Sequence, residues 1–304
     1  MLYIDSHAHC YRKPLPFVTR FCNPEELLER YDRHGIEMGA LLPVVNAEIY
    51  LPQANEDILE MVESHPSRFF AFCNIDPRCL IDRADARLDE VLEYYRAKEC
   101  RGVGEIMPSL DILDERVQNL FRCAEAVGLP VTTDGSDRVG GDFGLCDGLG
   151  LPGLEHTLQR FPKLVYIAHG PVFWAEYTRR TRPARCKAIF GVDGLQHGSP
   201  KATGPITEEG VAQELLRDFP NLHAELSDGA YWLMRDKEFA ARFLTEFQDR
   251  LLFGTDCCSQ NPCHFELKHW LDDLHESGLL PEAAWKKICR NNAIDLFRLP
   301  LEKA

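Results

Sequence analysis

Short apolar runs alternate with amphipathic stretches along most of this 304-residue chain. The runs are rich in β-branched and aromatic residues, which favour extended strands. They predict eight strands, at residues 2–5, 39–45, 69–75, 101–106, 130–134, 164–168, 222–227 and 251–255. Between most of them, apolar residues recur at the three- and four-residue spacing of helices. These stretches predict helices at residues 23–35, 55–64, 84–98, 114–128, 208–218, 236–248, 264–276 and 281–296.

Strands that alternate with helices are typical of a parallel sheet, and eight of them suit a closed (β/α)8 TIM barrel. The alternative is an open doubly wound sheet, which usually carries a glycine-rich phosphate turn after its first strand. The first predicted strand is instead followed by "DSHAHC". We therefore expect one α/β barrel domain over residues 1–304.

Three connections are longer than a barrel of this kind needs: 10–23, 135–152 and 170–206. Each follows a predicted strand, so each is expected at the C-terminal mouth of the barrel. Long loops at that position usually cover or shape a functional site.

Composition narrows the class of protein. Apolar residues make up 45% of the chain, yet none of its apolar runs is long enough for a membrane span. Polar residues at the N-terminus argue against a signal peptide, and the 12 scattered cysteines do not suggest a disulfide framework. The net charge of −14 disfavours a non-specific grip on nucleic acid. We expect a cytoplasmic enzyme with reduced cysteines. We expect it to bind a small-molecule substrate but neither nucleic acid nor a membrane, and a homo-oligomer is possible.

The two histidines of "IDSHAHC" are the first candidates for chemistry. Residues i and i+2 of a strand point to the same face, so His7 and His9 are expected to point together into the mouth. Two neutral imidazoles at that spacing can hold one metal ion. The alternative is a pair of ordinary core or surface histidines with hydrogen-bond partners.

Four more ionisable residues close predicted strands. They are Glu105, Asp134, His169 and Asp256. One carboxylate after a strand is often only a helix cap, but so many polar residues at one rim predict a metal centre. Zinc is the expected ion, and manganese, iron, nickel and cobalt are alternatives that accept the same nitrogen and oxygen donors.

The motifs together resemble the amidohydrolase superfamily, in particular its amidohydrolase-related branch of metal-dependent TIM-barrel hydrolases and decarboxylases. The resemblance covers the whole chain and is carried by Asp5–Ser–His7–Ala–His9, Ala168–His169–Gly170, Phe253–Gly–Thr–Asp256 and "NNAIDLFRL" at 291–299. It implies that His7, His9 and His169 bind the metal. It also implies that Asp256 both binds the metal and transfers a proton.

Two positions depart from this branch or add to it. Strand five there commonly ends in histidine, whereas this chain has Asp134, so Asp134 is a possible metal or substrate ligand. The stretch "GVGEI" is similar to the one in TatD-type DNases whose glutamate bridges two metals. Glu105 is therefore expected to bind metal directly or through water, and one or two ions remain possible.

The mouth loops hold weaker candidates. Arg179 opens the basic run "YTRRTRPARCK", which is either a clamp for a substrate carboxylate or a solvated surface. Trp174 is either a pocket wall or packing beneath the loop. His197 and His264 are possible helpers in the reaction or simply exposed loop residues.

We expect a metal-dependent hydrolase that activates water to cleave a small-molecule amide, lactone or related bond, with Asp256 as the catalytic base. One alternative is a non-hydrolytic decarboxylase of an aromatic or muconate-type acid, in which the basic run would bind the carboxylate. A metal-dependent nuclease is a further alternative that the net charge disfavours. The last alternative is a non-catalytic barrel, for which the missing strand-five histidine is the argument.

Overall fold

The computed structural model describes residues 1–13, 21–48, 53–140, 143–179, 205–259 and 262–304. Ten strands lie in this part of the chain: β1 (Tyr3–Ala8), β2 (Ile36–Leu41), β3 (Phe69–Ala71), β4 (Val103–Ile106), β5 (Val131–Thr133), β6 (Gly135–Ser136), β7 (Leu145–Cys146), β8 (Tyr166–Ala168), β9 (Leu222–Glu225) and β10 (Leu251–Leu252). Eight of them correspond to the predicted strands. The other two, β6 and β7, pair with each other inside the predicted loop 135–152.

The eight main strands form two parallel sheets in the orders β1-β2-β3 and β10-β9-β8-β5-β4. Two bridges join these sheets at both edges. Cys73, which follows β3, pairs with Val103 of β4, and Ala8 of β1 pairs with Cys257 beyond β10. The sheet therefore closes on itself, and the predicted TIM barrel is confirmed.

The described helices, in chain order, are α1 (Pro24–His34), α2 (Asn55–Ser64), α3 (Leu88–Ala97), α4 (Glu115–Val127), α5 (Pro152–Arg160), α6 (Gly170–Ala175), α7 (Val211–Asp218), α8 (Ala230–Leu233), α9 (Lys237–Glu246), α10 (Glu266–Glu276), α11 (Glu282–Lys286) and α12 (Asn292–Phe297). A 3-10 turn at Pro262–Phe265 precedes α10, and a π-helical turn at Lys287–Asn291 joins α11 to α12. No helix in the described ranges is long and apolar enough to cross a membrane.

The sequence around α1 explains where this helix begins and ends. The Asn23 side chain accepts a hydrogen bond from the Glu26 backbone, and the Glu26 side chain accepts one from the Asn23 backbone. This reciprocal pair satisfies donors that the first turn leaves free. At the other end Gly35 takes the left-handed conformation, with φ of 70°, and β2 begins at the next residue.

Several element bounds differ from prediction. The strand predicted at 2–5 continues to Ala8, and the one predicted at 39–45 begins at Ile36, because Tyr3 pairs with Ile36. The helix predicted over 281–296 is divided by the π-helical turn. The predicted loops 10–23 and 170–206 lie partly outside the described residues.

The interior of the barrel is an apolar cluster of its own. Its members come from the strands and from the C-terminal segment: Ile4, Met38, Ala40, Leu42, Phe70, Phe72, Ile167, Leu252, Ala293, Ile294, Phe297 and Leu299. The Phe297 ring of α12 lies 5.3 Å from the rings of both Phe70 and Phe72. The "NNAIDLFRL" motif thus packs a short helix against the barrel interior. A second, larger cluster lies between the strands and the surrounding helices.

His223 of β9 makes folding stability depend on pH. Burial of its ring, and then the charge of Arg250, lowers the pKa of His223 to about 4. The unfolded chain binds this proton near pH 6.5, so the contribution to stability is complete above that pH and is lost as the pH falls towards 4. We expect His223 to account for a loss of about 2 kcal/mol in unfolding free energy between pH 7 and pH 5. Urea unfolding of His223→Gln should lack this part of the loss, whereas the exposed control His156→Gln should keep it; equal pH slopes for both variants would contradict the assignment.

Candidate active site

Six polar side chains converge at the carboxyl end of the barrel. They are His7 from β1, His9 directly after β1, Glu105 from β4, His169 after β8, Glu225 from β9 and Asp256 after β10. All except Asp256 are buried, with at most 4% of each residue exposed. The Asp256 side chain is 30% exposed. Five of the six are residues that the sequence pattern selects, and Glu225 is the addition.

The atoms that face one another are possible metal donors. The Nε2 atoms of His7 and His9 are 3.1 Å apart. Glu105 Oε2 lies 3.1 Å from His9 Nε2 and 3.4 Å from His7 Nε2. Its other oxygen, Oε1, lies 3.6 Å from His169 Nε2. Asp256 Oδ1 lies 3.4 Å from His9 Nε2 and 3.7 Å from His7 Nε2.

Hydrogen bonds on the far side of two rings set which nitrogen carries a proton. His9 Nδ1 lies 2.9 Å from the carbonyl oxygen of Leu42, which can only accept. His169 Nδ1 lies 2.6 Å from Glu225 Oε2. In the neutral rings Nδ1 therefore holds the hydrogen, and each Nε2 directs a lone pair into the cluster.

This donor set fits a divalent transition metal. Facing lone pairs and carboxylates repel one another unless a cation lies among them, and imidazole nitrogen with carboxylate oxygen suits zinc or manganese. Among the described residues His7 Nδ1 is a buried ring nitrogen with no hydrogen-bond partner, 3.5 Å from Glu225 Oε2. The side chains that would hold the ion are His7, His9 and Asp256, with Glu105 and His169 beside them.

The charges of the cluster favour a cation. Burial alone would lower the pKa of His9, but Asp256 and Glu105 outweigh it and raise the pKa to about 9. Burial likewise opposes the charged form of Asp256, yet His9 and His7 keep its pKa below the usual value. The pKa of Glu105 is lowered for the same reason, with His7 as the main partner. The carboxylates are therefore ionised at neutral pH, and in the absence of a metal the raised pKa values of His7, His9 and His169 let protonated imidazoles supply the balancing positive charge.

Asp134 differs from these carboxylates. Burial, and then the charge of Glu105, raises its pKa well above the usual range. Its Oδ1 accepts a hydrogen bond of 2.6 Å from the Gly135 backbone. Among the described residues, Asp134 belongs to none of the groups whose donor atoms lie within 4.8 Å of one another, so it lies beside the cluster. Its role as a replacement for the strand-five histidine stays a prediction.

Hydrogen bonds from Ser227 fix the Glu225 carboxylate, and this carboxylate in turn orients His169. The backbone N–H of Ser227 donates to Glu225 Oε1 at 2.7 Å, and the Ser227 hydroxyl donates to Oε2 at 2.6 Å. Burial opposes ionisation of Glu225, but His169 and His7 lower its pKa to about 2. The indole N–H of Trp174 donates to the Glu225 carbonyl oxygen at 3.1 Å. This network fixes both the tautomer and the direction of the His169 ring.

Two motif glycines leave room for the acidic side chains. A Cβ at Gly254 would lie 2.3 Å from Glu225 Oε1, and one at Gly170 would lie 1.9 Å from Asp134 Oδ1. Gly170 also has φ of 84°, which favours glycine. These contacts explain why the "AHG" and "FGTD" motifs contain glycine where the chain passes the site.

Asp5 holds the two edges of the barrel that meet at the site. Its Oδ1 accepts from the backbone N–H groups of His7, at 3.0 Å, and Thr255, at 2.9 Å. Its Oδ2 accepts from the hydroxyls of Tyr31, at 2.7 Å, and Thr255, at 2.6 Å. The Asp256 backbone in turn donates to the His7 carbonyl at 2.9 Å. Asp5 thereby sets the position of His7 relative to Asp256.

The weaker candidates lie outside the cluster. Trp174 is fully buried among Tyr177 and Phe243 and supports the end of β9 from behind. Arg179 is exposed and pairs with Glu214. His264 lies 3.2 Å from the Ser259 hydroxyl, and His197 lies outside the described residues.

Sequence reasoning missed Glu225 and Asp228. Donor atoms of His169, Asp228 and Asp256 all lie within 4.8 Å of one another, as do those of His7, His169 and Glu225. The sequence contains a signal for Glu225. The strand "LHAE" ends in a carboxylate residue, just as the strand "VGEI" contains Glu105. The predicted strand 222–227 ran two residues too far and hid Glu225 within it.

The comparisons with known proteins agree with this architecture. A family model described as Amidohydrolase matches residues 4–299. No curated protein matches the chain. Among solved structures, a 2,6-dihydroxybenzoate decarboxylase from Rhizobium is 16% identical, with a TM-score of 0.61 and 98% of each chain covered.

Two further solved structures have similar scores. A probable 2-pyrone-4,6-dicarboxylic acid hydrolase from Acinetobacter baumannii, with citric acid bound, is 13% identical, with a TM-score of 0.58 and coverage of 98% of this chain and 100% of that one. A dihydroxybenzoic acid decarboxylase from Polaromonas, with manganese and 2-nitroresorcinol, is 17% identical, with a TM-score of 0.59 and coverage of 99% and 98%. Likeness at these identities shows the fold.

Replacing Asp5 tests its role at the barrel edges. Asp5→Asn keeps the shape but turns one accepting oxygen into a donor, so it breaks about half of the four hydrogen bonds. We expect the unfolding free energy of metal-free protein to fall by about 2–4 kcal/mol in urea titrations. The exposed control Asp85→Asn should change it by less than about 0.5 kcal/mol. A loss no larger than that of the control would contradict this role.

Replacing Glu225 tests how His169 is oriented. Glu225→Gln removes the charge that holds the Nδ1–H of His169, so affinity for zinc or manganese should fall roughly 10–100-fold in chelator-competition titrations. Circular dichroism should show an unchanged fold. The control Glu214→Gln removes an exposed carboxylate and should bind metal normally. Wild-type affinity in Glu225→Gln would show that His169 needs no such support.

Proposed function

Because the amidohydrolase model spans residues 4–299, the chain belongs to the amidohydrolase family, and from that premise we propose that it is a metal-dependent hydrolase. Its proposed substrates are small molecules in which an uncharged carbonyl group, such as an amide or a lactone, is attacked by water. Zinc or manganese is the proposed ion.

The charge of the site is the observation that carries this choice. Glu105, Glu225 and Asp256 are ionised, and no described lysine or arginine pairs with any of them. With the histidines neutral and a divalent ion bound, three carboxylates would exceed the charge of the ion by one, and a substrate carboxylate would add a further negative charge to a largely buried, low-dielectric site. A neutral carbonyl avoids that repulsion, which favours hydrolysis of an uncharged substrate.

A divalent ion bound by this donor set would polarise the carbonyl oxygen and lower the pKa of water towards 7. The protein side chains do the remaining work. Binding of the ion would displace the protons that the raised pKa values of His7 and His9 otherwise hold, so that both rings become neutral donors, and His169 is fixed by Glu225. The buried carboxylate of Glu105 faces the histidines with both oxygens, so it supplies negative charge on both sides of the cluster.

We infer that Asp256 accepts the proton of the attacking water. It is the member of the cluster with an exposed side chain, so substrate and water can reach it. Its lowered pKa keeps it ionised at neutral pH, as a base requires. Its backbone has φ of 45°, an uncommon conformation for a residue other than glycine, and is held by the hydrogen bond to His7. After taking the proton, Asp256 would deliver it to the leaving group.

Decarboxylation is the competing reaction. The stretch 179–187 contains four arginines and one lysine, and its basic residues beyond Arg179 lie outside the described residues. An aromatic acid held by such cations would favour loss of carbon dioxide without attack by water.

A substrate screen separates the two reactions. Zinc- and manganese-loaded protein should be given uncharged amides and lactones alongside hydroxybenzoic acids, with acid release and carbon dioxide both recorded. Acid release from neutral substrates supports the hydrolase. Carbon dioxide as the sole product would overturn it in favour of the decarboxylase.

Asp256→Asn tests the proposed base. The amide keeps the shape and one metal-binding oxygen but cannot accept the proton. We expect kcat to fall by about 10²–10⁴, a loss of roughly 3–5 kcal/mol in transition-state stabilisation. Metal content by elemental analysis and the circular dichroism spectrum should stay near wild type, and the exposed control Asp249→Asn should keep full activity. Wild-type turnover by folded, metal-loaded Asp256→Asn would rule out this mechanism.

A further inference from the structure

The two sheets of the barrel meet at two junctions, and Asn74 lies at the one between β3 and β4. The chain after β3 joins β4 there through the bridge of Cys73 with Val103, and the Gly104 backbone N–H donates to the Cys73 carbonyl at 2.9 Å. Asn74 is the next residue and is almost fully buried, with 2% exposed. Asn74 thus lies at this junction as Asp5 lies at the other.

The Asn74 side chain joins the neighbouring strands where regular backbone pairing has ended. The backbone N–H of Asn74 donates to the side-chain oxygen of Asn55 on α2, at 2.8 Å, and not to a neighbouring strand. Contact with the two flanking segments passes instead through the side-chain amide. Its Nδ2 donates to the Pro43 carbonyl, beyond β2, at 2.9 Å and to the Glu105 carbonyl of β4 at 2.6 Å.

Both segments that the amide joins lead directly to the candidate metal cluster. Pro43 follows Leu42, whose carbonyl oxygen lies 2.9 Å from His9 Nδ1. The Glu105 carboxylate lies 3.1 Å from the other ring nitrogen, His9 Nε2. One amide group therefore connects the segment that supports His9 from behind with the residue whose carboxylate faces it.

The hydrogen bonds of Asn74 commit its amide to this bridge. The Asn55 side chain also donates to the Asn74 carbonyl at 3.0 Å, so α2 fixes the backbone from which the amide extends. Nδ2 uses its donors on two carbonyl oxygens, whereas Oδ1 is buried and has no hydrogen-bond partner among the described residues. A carboxylate or an apolar side chain of similar size could not donate in this way. The two donors are therefore what this position requires.

We propose that Asn74 is a positioning residue that sets the distance between Glu105 and His9, and through it the shape of the metal site. Loss of the bridge lets the two segments separate, and the Glu105 carboxylate then faces the histidines at longer distances. Metal affinity thus depends on an amide whose donors contact backbone carbonyls and not the cluster itself. The inference rests on the proposed metal-dependent function for this affinity, whereas the position of Glu105 is measurable without metal.

A double-mutant cycle tests whether Asn74 acts through Glu105. Asn74→Ala should weaken zinc and manganese affinity roughly 10–100-fold in chelator-competition titrations. In the Glu105→Ala background the same substitution should change affinity by less than about three-fold, because the carboxylate that it positions is gone. An equal factor in both backgrounds would show that Asn74 acts independently of Glu105 and would overturn the proposal.

Asn119→Ala is the matched control for the loss of a buried asparagine. Asn119 is likewise buried, and its Nδ2 donates to the Ala86 carbonyl at 2.9 Å, but it lies on α4. It should lower the unfolding free energy and leave metal affinity within about two-fold of wild type. If Asn74→Ala does not fold, Asn74→Ser keeps one donor and should weaken affinity in the same direction by a smaller factor. Wild-type affinity in the folded Asn74 variant would contradict the proposal.

Crystal structures of metal-free wild type and of the folded Asn74 variant locate Glu105 directly. The carboxylate lies 3.1 Å from His9 Nε2 and 3.6 Å from His169 Nε2. In the variant we expect at least one of these distances to lengthen by more than about 0.5 Å, the tolerance of a well-positioned site. An unmoved Glu105 would overturn the proposal. If Glu105 moves as expected but wild type binds neither zinc nor manganese, the metal-dependent function fails while the positioning role is supported.

Discussion

The buried carboxylate of Asp5 is the constraint on which the rest of the site depends. The barrel closes where β1 pairs with the segment that follows β10. These two segments are far apart in the sequence, so no short loop holds them together. Four donors from β1, α1 and the segment after β10 meet on this one side chain. Because these hydrogen bonds are fully buried, small displacements of either edge are costly. The position of His7 relative to Asp256 follows from this arrangement.

The hydrogen bonds that His9 and His169 make through Nδ1 determine how their Nε2 atoms face the cluster. A backbone carbonyl orients His9, whereas a carboxylate orients His169. The first partner is neutral and the second is charged, so the two imidazoles differ in basicity although both direct Nε2 inward. Burial then strengthens the interaction of the three ionised carboxylates with the facing histidines and with any ion that binds among them.

The sequence predicts the barrel well because strand–helix alternation is a local pattern. The spacing of His7 and His9 likewise predicts that both rings reach the same point. The ends of helices and strands are harder to predict from the sequence, because pairing with a neighbouring strand determines them. Ile36, where β2 begins, is an example, since it pairs with Tyr3 of β1. Glu225 was missed for this reason, since a strand end placed two residues late hides a terminal carboxylate. The raised pKa of Asp134 depends on burial near Glu105, which no local pattern reveals.

The C-terminal helix packed against the barrel interior has a consequence for how the chain folds. Apolar residues between 293 and 299 pack in the same interior as Ile4. Ala8, at the end of β1, pairs with Cys257, which follows β10. The first strand can pair with β2 early, but its other edge and the apolar interior are completed only when the last part of the chain is present. Contacts of such large sequence separation slow folding and prolong the lifetime of aggregation-prone intermediates. The histidines made first are thus among the last groups to reach their final positions.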